Sequence, residues 1–128
     1  MDGIKQVVAI GALGALGSLL RFGLSDAVGR VLADPPWLPT LVVNVLGCYL
    51  LGVVDRLALA GTLSPSARVV LAVGFLGAFT TFSTYALEMV SLGTSRAFAR
   101  LALQFAAQNL LGVLAVLAGM ATVKLLVR

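Results

Sequence analysis

A run of glycines, hydroxyls and aromatic rings lies in the middle of a long apolar stretch, in Gly74-Phe75-Leu76-Gly77-Ala78-Phe79-Thr80-Thr81-Phe82-Ser83-Thr84-Tyr85. Such a cluster is not expected at the centre of a helix that faces only lipid. Glycines beside two threonines allow the backbone to leave helical geometry. At membrane depth, carbonyls freed in this way are tolerated only where they face protein or a water-filled path. We therefore take this segment as the candidate functional centre.

Polar side chains elsewhere in the apolar runs add to this candidate site. Asn44 has apolar neighbours on both sides and needs a partner, which is either an interhelical hydrogen bond or a solute. At 100° per residue, Thr81, Thr84, Tyr85 and Glu88 fall within about 100° of one another on a helix. One face is thus predicted to carry hydroxyls, a carboxylate and a ring. Glu88 either borders a pathway or is solvated near the interface.

The aromatic pair Phe82 and Tyr85 allows two interpretations. Aromatic rings three residues apart are common in helix packing. Their ring edges are also the positive part of the ring quadrupole. Edges turned toward a path would receive an anion in an otherwise apolar wall.

The roles of Arg21 and of the amide side chains in the last apolar run also allow two interpretations each. Arg21 either anchors the chain near a vestibule or contacts an ion directly. Gln104, Gln108 and Asn109 either join helices or line a polar track.

The composition identifies the elements that position these residues. Of the 128 residues, 60% are hydrophobic and 11% are charged, against about 25% charged in soluble domains. The mean hydropathy is +1.08. A membrane helix needs about 20 residues, so the chain is predicted to be an all-α membrane protein with one domain, 1–128, and four spans: 4–32, 38–59, 67–91 and 96–126. Ser64 before Pro65 is a predicted helix N-cap.

Several function classes are disfavoured. The net charge of +4 comes from scattered basic residues near the span ends, so nucleic-acid binding is not expected. Histidine is absent and Cys48 is the single cysteine, which favours a packing role for Cys48. No nucleophile motif, paired carboxylates or phosphate loop is present. The protein is therefore not expected to be an enzyme.

The basic residues are nearly balanced between the two sides of the predicted membrane protein. Five lie on one side, namely Lys5, Arg56, Arg68, Lys124 and Arg128, and four toward the other, namely Arg21, Arg30, Arg96 and Arg100. Orientation normally follows an excess of Lys and Arg on the cytoplasmic side. This balance favours insertion in both orientations and antiparallel pairing, the alternative being a single orientation set by a weak bias.

The motif from Gly74 to Tyr85, followed by Glu88, closely resembles the small bacterial fluoride channels of the Fluc (CrcB) family. Gly14-Ala15 and Arg21 in the first span, and Pro39-Thr40-Leu41 through Asn44 and Gly47 in the second, extend the resemblance to all four spans. The resemblance implies a dual-topology antiparallel homodimer in the bacterial inner membrane. It also implies a break in the third helix and a structural sodium ion held by the backbone carbonyls of Gly77 and Thr80.

The resemblance assigns roles to the remaining residues. The pore asparagine corresponds to Asn44, with Ser83 and Thr84 as hydroxyl donors near it. The two pore phenylalanines correspond to Phe82 and to Tyr85, where the added hydroxyl is a departure. The other positions form a polar track and vestibule: Thr40, Glu88, Asn109 and Arg21. In the fourth helix, Phe105 occupies a position at which some relatives have a side chain that ends in a polar group.

The implied function is passive export of cytoplasmic fluoride. Two other classes compete with it. One is a small multidrug transporter, a four-helix dual-topology dimer whose first helix carries a membrane-embedded glutamate; the first span here has none. The other is a non-transporting assembly subunit whose polar residues only join helices.

Overall fold

Four long apolar helical segments form the architecture of the computed structural model, which describes residues 3–32 and 34–126. Helix α1 covers Gly3–Val31 and helix α2 covers Leu38–Leu59. The third crossing, Pro65–Thr94, is composite, and helix α6 covers Phe98–Leu126. Each of the four is long and apolar enough to cross a membrane. No strand occurs in the described ranges, so the prediction of an all-α chain with four membrane-length helices is confirmed.

The third crossing consists of several helical pieces. Helix α3 (Pro65–Val69) leads into a π-helical stretch (Val70–Leu76), followed by the short helix α4 (Gly77–Phe79). Thr80 and Thr81 then have extended backbones, with φ/ψ of −81°/160° and −144°/108°. Helix α5 (Phe82–Thr94) completes the crossing. The polar cluster found in the sequence therefore coincides with the irregular part of the backbone.

The ends of the third crossing are set by local hydrogen bonds. The Ala67 N–H donates to Ser64 Oγ at 3.2 Å and Pro65 opens helix α3, which confirms Ser64 as the N-cap. Helix α5 continues beyond the predicted boundary at residue 91, through Thr94. Arg96 follows in the left-handed region, at φ 58°, and its N–H donates to the Gly93 carbonyl. This turn explains why helix α6 begins at Phe98 rather than at the predicted residue 96.

Helix α2 packs along helix α6, and helix α1 packs on the π-helical stretch. Both contacts depend on glycine. A Cβ at Gly52 would overlap the Val116 carbonyl of α6, and a Cβ at Gly17 would overlap the Phe75 carbonyl. Close backbone approach through small residues is typical of helices packed in lipid.

The ends of the helices carry most of the basic residues. Arg68 bonds Asp55 at 2.6 Å where the third crossing begins and α2 ends. Arg100 lies 3.6 Å from Asp34 at the opposite end, between α6 and the α1–α2 connection. Arg128, which was counted in the predicted charge balance, lies outside the described residues.

The glycine contact between α2 and α6 is testable by substitution. We expect Gly52→Ala to lower the free energy of unfolding by about 1–3 kcal/mol, because the added methyl group must displace the Val116 backbone. Unfolding measured in detergent or bicelles checks this. Gly23→Ala is the matched control, since a Cβ there meets nothing within 4 Å. Equal effects of the two substitutions would contradict the packing described.

Candidate functional site

Asn44 pairs with the backbone of Thr81, 37 residues away in sequence. The Thr81 N–H donates to Asn44 Oδ1 at 2.8 Å, and Asn44 Nδ2 donates to the Thr81 carbonyl at 3.1 Å. The side chain thereby satisfies both backbone groups of an extended residue, as a neighbouring β-strand would. Asn44 Nδ2 also lies 3.3 Å from Gln108 Oε1 on helix α6. Of the two kinds of partner considered for Asn44, the structure contains the first, hydrogen bonds to neighbouring helical elements.

Gly47 makes room for this pairing one helical turn after Asn44. A Cβ on Gly47 would overlap Thr80 Cγ2 and lie 3.3 Å from Phe79 Cδ1. Residues three apart share a helix face. On this face of α2, Asn44 forms hydrogen bonds with the extended segment at Thr81, and Gly47 leaves the space that Thr80 occupies.

Thr81 also caps the helix that follows it. Its Oγ1 accepts from the Thr84 N–H at 3.2 Å and lies 2.9 Å from Thr84 Oγ1 and 3.3 Å from Ser83 Oγ. Ser83 and Thr84, predicted as hydroxyl donors near Asn44, both lie within hydrogen-bond distance of Thr81, the residue that Asn44 binds. The predicted placement of Thr81 on a regular helix face with Glu88 is wrong, because Thr81 is the extended N-cap residue of α5.

Several carbonyls before Thr81 lack their usual helical partners. In an α-helix the Gly77 carbonyl would accept from the Thr81 N–H, and the Thr80 carbonyl from the Thr84 N–H. Both N–H groups are diverted, to Asn44 Oδ1 and to Thr81 Oγ1. The Ala78 carbonyl accepts from Arg21 Nε at 3.1 Å. Arg21 therefore supports the irregular segment from α1.

A cavity of about 360 Å³ opens beside this segment. Its wall brings together most of the residues predicted from the sequence, with backbone from the irregular segment and two amides of α6. Among residues 3–32 and 34–126, no charged side chain lines it. The lining includes Asn44, Gly77, Thr80, Phe82, Tyr85, Gln108 and Asn109.

The aromatic pair lies at the edge of this cavity. Phe82 and Tyr85 have ring centroids 5.7 Å apart with planes at 62°, an edge-to-face arrangement. The Phe82 side chain is 78% exposed in the single chain. Asn109 is exposed and donates to its own helix at the Phe105 carbonyl. The wall of the cavity is therefore incomplete on the side of Phe82.

Glu88 is the centre of a second polar cluster outside that cavity. It accepts from Thr40 Oγ1 and from Gln104 Nε2, both at 2.6 Å. Thr40 and Gln104 are buried, and Gln104 is fully so. Glu88 also borders a smaller pocket of about 280 Å³ next to Trp37.

The sequence names Thr81, Gln104 and Gln108 as polar candidates but does not predict which residues they contact. The α6 residue that donates a hydrogen bond to Glu88 is Gln104. Phe105, the α6 position to which the resemblance points, is 56% exposed. Gln108 contacts Asn44, and Thr81 is the residue that Asn44 holds. The spacing of Gln104 and Gln108, four residues apart on one face, was the available signal.

These observations define the class of protein: a four-helix integral membrane protein with a mostly apolar cavity, into which a few amide and hydroxyl side chains are placed, at an irregular point of its third crossing. The sequence profile described as CrcB-like protein, Camphor Resistance (CrcB), matches residues 8–120. The chain belongs to the CrcB family, which confirms the resemblance read from the sequence.

Relatives in this family carry informative names. Three are each named Fluoride-specific ion channel FluC. The protein of Nitratidesulfovibrio vulgaris is 40% identical over 95% of this chain and 99% of its own length. That of Solidesulfovibrio magneticus is 43% identical over 96% and 99%. One from Thermus thermophilus is 50% identical over 70% and 71%. The names are those of ion channels, in agreement with the prediction of a protein that is not an enzyme.

The fit between Gly47 and Thr80 predicts a specific rescue. Gly47→Ala is expected to cost about 1–3 kcal/mol of unfolding free energy, because the new methyl group overlaps Thr80 Cγ2. Adding Thr80→Ser removes that methyl group and retains the hydroxyl that donates to the Leu76 carbonyl. The double variant should recover most of the loss in a thermal or denaturant unfolding experiment. Additive losses in the double variant would contradict this geometry.

Proposed function

We propose that the protein is a fluoride-selective ion channel that passively exports cytoplasmic fluoride and so lowers its toxicity. The observation that carries the proposal is the cavity beside Thr80, which amide side chains, the irregular segment and two aromatic residues line, and which no charged residue of the described ranges lines. The names of the relatives support fluoride as the ion.

The chemistry of this cavity suits a small, strongly hydrated anion. A pore for fluoride must replace the water around the ion with hydrogen-bond donors and be too narrow for chloride. Asn44, Ser83 and Thr84 supply amide and hydroxyl groups near the path, and Phe82 and Tyr85 supply ring edges. The N-terminus of α5 adds a partial positive charge at the same place. Because no Lys or Arg of the described part of the chain lines the cavity, the ion is not bound too tightly to leave.

Transport by this route needs no energy source. In an acidic medium, neutral hydrogen fluoride crosses the bilayer, ionises in the cytoplasm and is trapped as the anion. A passive channel in the bacterial inner membrane lets the anion leave down its electrochemical gradient. Thr40, Glu88, Asn109 and Arg21 would line or support the approaches to the pore.

A second, inverted copy of the chain would complete the pore wall. The cavity is open beside Phe82, whose ring is largely exposed in one chain. The near balance of basic residues on the two sides favours insertion in both orientations. An antiparallel homodimer related by a twofold axis would therefore close two equivalent cavities.

The third crossing also offers ligands for a structural sodium ion. We take it as a discontinuous helix in which the Gly77 and Thr80 carbonyls are freed because the N–H groups of Thr81 and Thr84 bond elsewhere. Hard cations prefer oxygen ligands, and carbonyls at broken membrane helices supply them. Two copies would provide four such oxygens. The ion would join the two chains and would not be transported.

Fluoride efflux from proteoliposomes tests the proposed function. We expect rapid fluoride efflux, much slower chloride efflux, and no dependence on a proton gradient. Phe82→Ile should abolish fluoride efflux while the dimer still forms, because the ring edge is lost from the cavity. Phe98→Ile is the matched control, since Phe98 is similarly exposed but does not line the cavity.

Three results of this assay would contradict the proposal. Proton-coupled uptake of an organic cation would indicate the multidrug transporter. No ion flux, together with loss of assembly in Phe82→Ile, would indicate an assembly subunit. Unchanged fluoride efflux in Phe82→Ile would exclude the role of the ring edge.

The dual topology predicts an even labelling pattern. In a Cys48→Ala background, single cysteines at Thr62 and at Ser95 place thiols in exposed turns on opposite sides of the bundle. An impermeant maleimide added to intact cells should label about half of the molecules at each position. Complete labelling at one position and none at the other would show a single orientation.

A further inference from the structure

A second pocket, of about 280 Å³, opens between the start of α2 and the second half of α5. It shares no lining residue with the cavity beside Thr80. Small-molecule sites typically combine apolar walls with a few convergent polar groups. This pocket has that composition, since four apolar or aromatic residues and two polar residues line it: Pro36, Trp37, Leu87 and Leu92, with Glu88 and Ser91.

Glu88 is the charged residue of this lining, and it lacks a basic partner. Within residues 3–32 and 34–126, its carboxylate forms no ion pair with a Lys or Arg side chain. Two arginines at this end of the bundle pair with other carboxylates, Arg30 with Asp26 at 2.8 Å and Arg100 with Asp34 at 3.6 Å. Ionisable side chains in membrane-spanning helices usually pair with one another or with backbone groups. A cation in the pocket would supply a counter-charge to Glu88.

Hydrogen bonds orient the Glu88 carboxylate and leave it able to accept more. Thr40 Oγ1 donates to Oε1 and Gln104 Nε2 donates to Oε2, both at 2.6 Å. An ionised carboxylate has about four acceptor sites, so each oxygen can accept a further hydrogen bond. The Trp37 indole N–H takes neither place, because Nε1 is buried without a hydrogen-bond partner among the described residues. An ammonium group beside Glu88 would donate to one of the remaining sites.

The composition of the walls decides which kind of ligand fits. An anion would be repelled by the Glu88 carboxylate. A hard metal cation needs several oxygen ligands, and the described residues contain no group of three His, Cys, Asp or Glu side chains that could hold one. An ammonium group on a short alkyl chain matches both the carboxylate and the apolar walls. The Trp37 ring adds an aromatic surface, which attracts cations.

We propose that the pocket between Trp37 and Glu88 is a binding site for a small primary alkylammonium cation. The ammonium group donates a hydrogen bond to Glu88, and the alkyl chain contacts Trp37, Leu87 and Leu92. The site goes beyond the proposed fluoride conduction and does not depend on it. Neither the sequence nor the resemblance assigned a ligand to Trp37 or a cation to Glu88.

Trp37 is the single tryptophan of the chain and reports directly on occupancy of the pocket. With the full-length protein in zwitterionic bicelles, n-butylammonium should change the Trp37 emission saturably. n-Butanol has the same alkyl chain and no charge. It should bind at least about tenfold more weakly, because hydrogen bonds between charged groups are stronger than those between neutral groups.

Substitution of Glu88 tests the contribution of its charge. Glu88→Gln retains the length of the side chain and one acceptor oxygen but removes the carboxylate, so the affinity for n-butylammonium should fall at least about tenfold. Asp34→Asn is the matched control, because it removes a carboxylate at the same end of the bundle that does not line the pocket. Its affinity should stay within about twofold of the unsubstituted protein, since exposed charges are screened by salt.

Three results would overturn this assignment: no saturable change in Trp37 emission, equal binding of n-butanol and n-butylammonium, or an unchanged affinity in Glu88→Gln. The comparison with n-butanol uses the unsubstituted protein, so it decides the question if Glu88→Gln fails to fold. Because the measurement follows binding and not ion flux, each of these results leaves the proposed fluoride conduction standing. An absence of fluoride efflux would in turn leave this site standing.

Discussion

The structure depends on one pairing, between the amide side chain of Asn44 and the two backbone groups of Thr81. Backbone groups without partners are costly at membrane depth, and water is not available to satisfy them. Asn44 supplies a donor and an acceptor at 3.1 Å and 2.8 Å, which allows two residues to be extended in the middle of a crossing. Gly47 removes the methyl group that would otherwise keep α2 away from Thr80.

Other features of the site follow from that extended segment. Because the Thr81 and Thr84 N–H groups bond to side-chain oxygens, the carbonyls of Gly77 and Thr80 lose their helical partners. Arg21 binds the Ala78 carbonyl from α1. Helix α5 begins at Phe82, which places two aromatic residues and a helix N-terminus at the cavity. The side-chain amide of Asn44 on α2 thus contacts the extended segment before α5 and the Gln108 amide of α6, and the aromatic residues of α5 follow directly after that segment.

The sequence predicted the four helices and several residues that line the cavity, and the limits of the prediction have physical causes. Hydropathy and the Ser64-Pro65 cap identified the elements, since both signals are local. The pairing of Asn44 with Thr81 joins residues 37 apart, and no local rule indicates which polar partners meet. Helix α6 is apolar around most of its circumference, so the sequence does not fix its rotation. The resemblance points to Phe105, whereas Gln104 faces Glu88 in the structure. The proposed pairing with a second chain leaves no signal in the hydrophobic periodicity of one chain.

The central claim is that the cavity beside Thr80 is part of a path for fluoride and excludes chloride. The reversal potential of the protein in a planar bilayer tests it most directly. With a tenfold gradient of fluoride and equal chloride on both sides, the account predicts a current that reverses near the fluoride equilibrium potential, about 59 mV in magnitude for a single charge. A reversal potential near zero, or one that follows an imposed chloride or proton gradient instead, would contradict it.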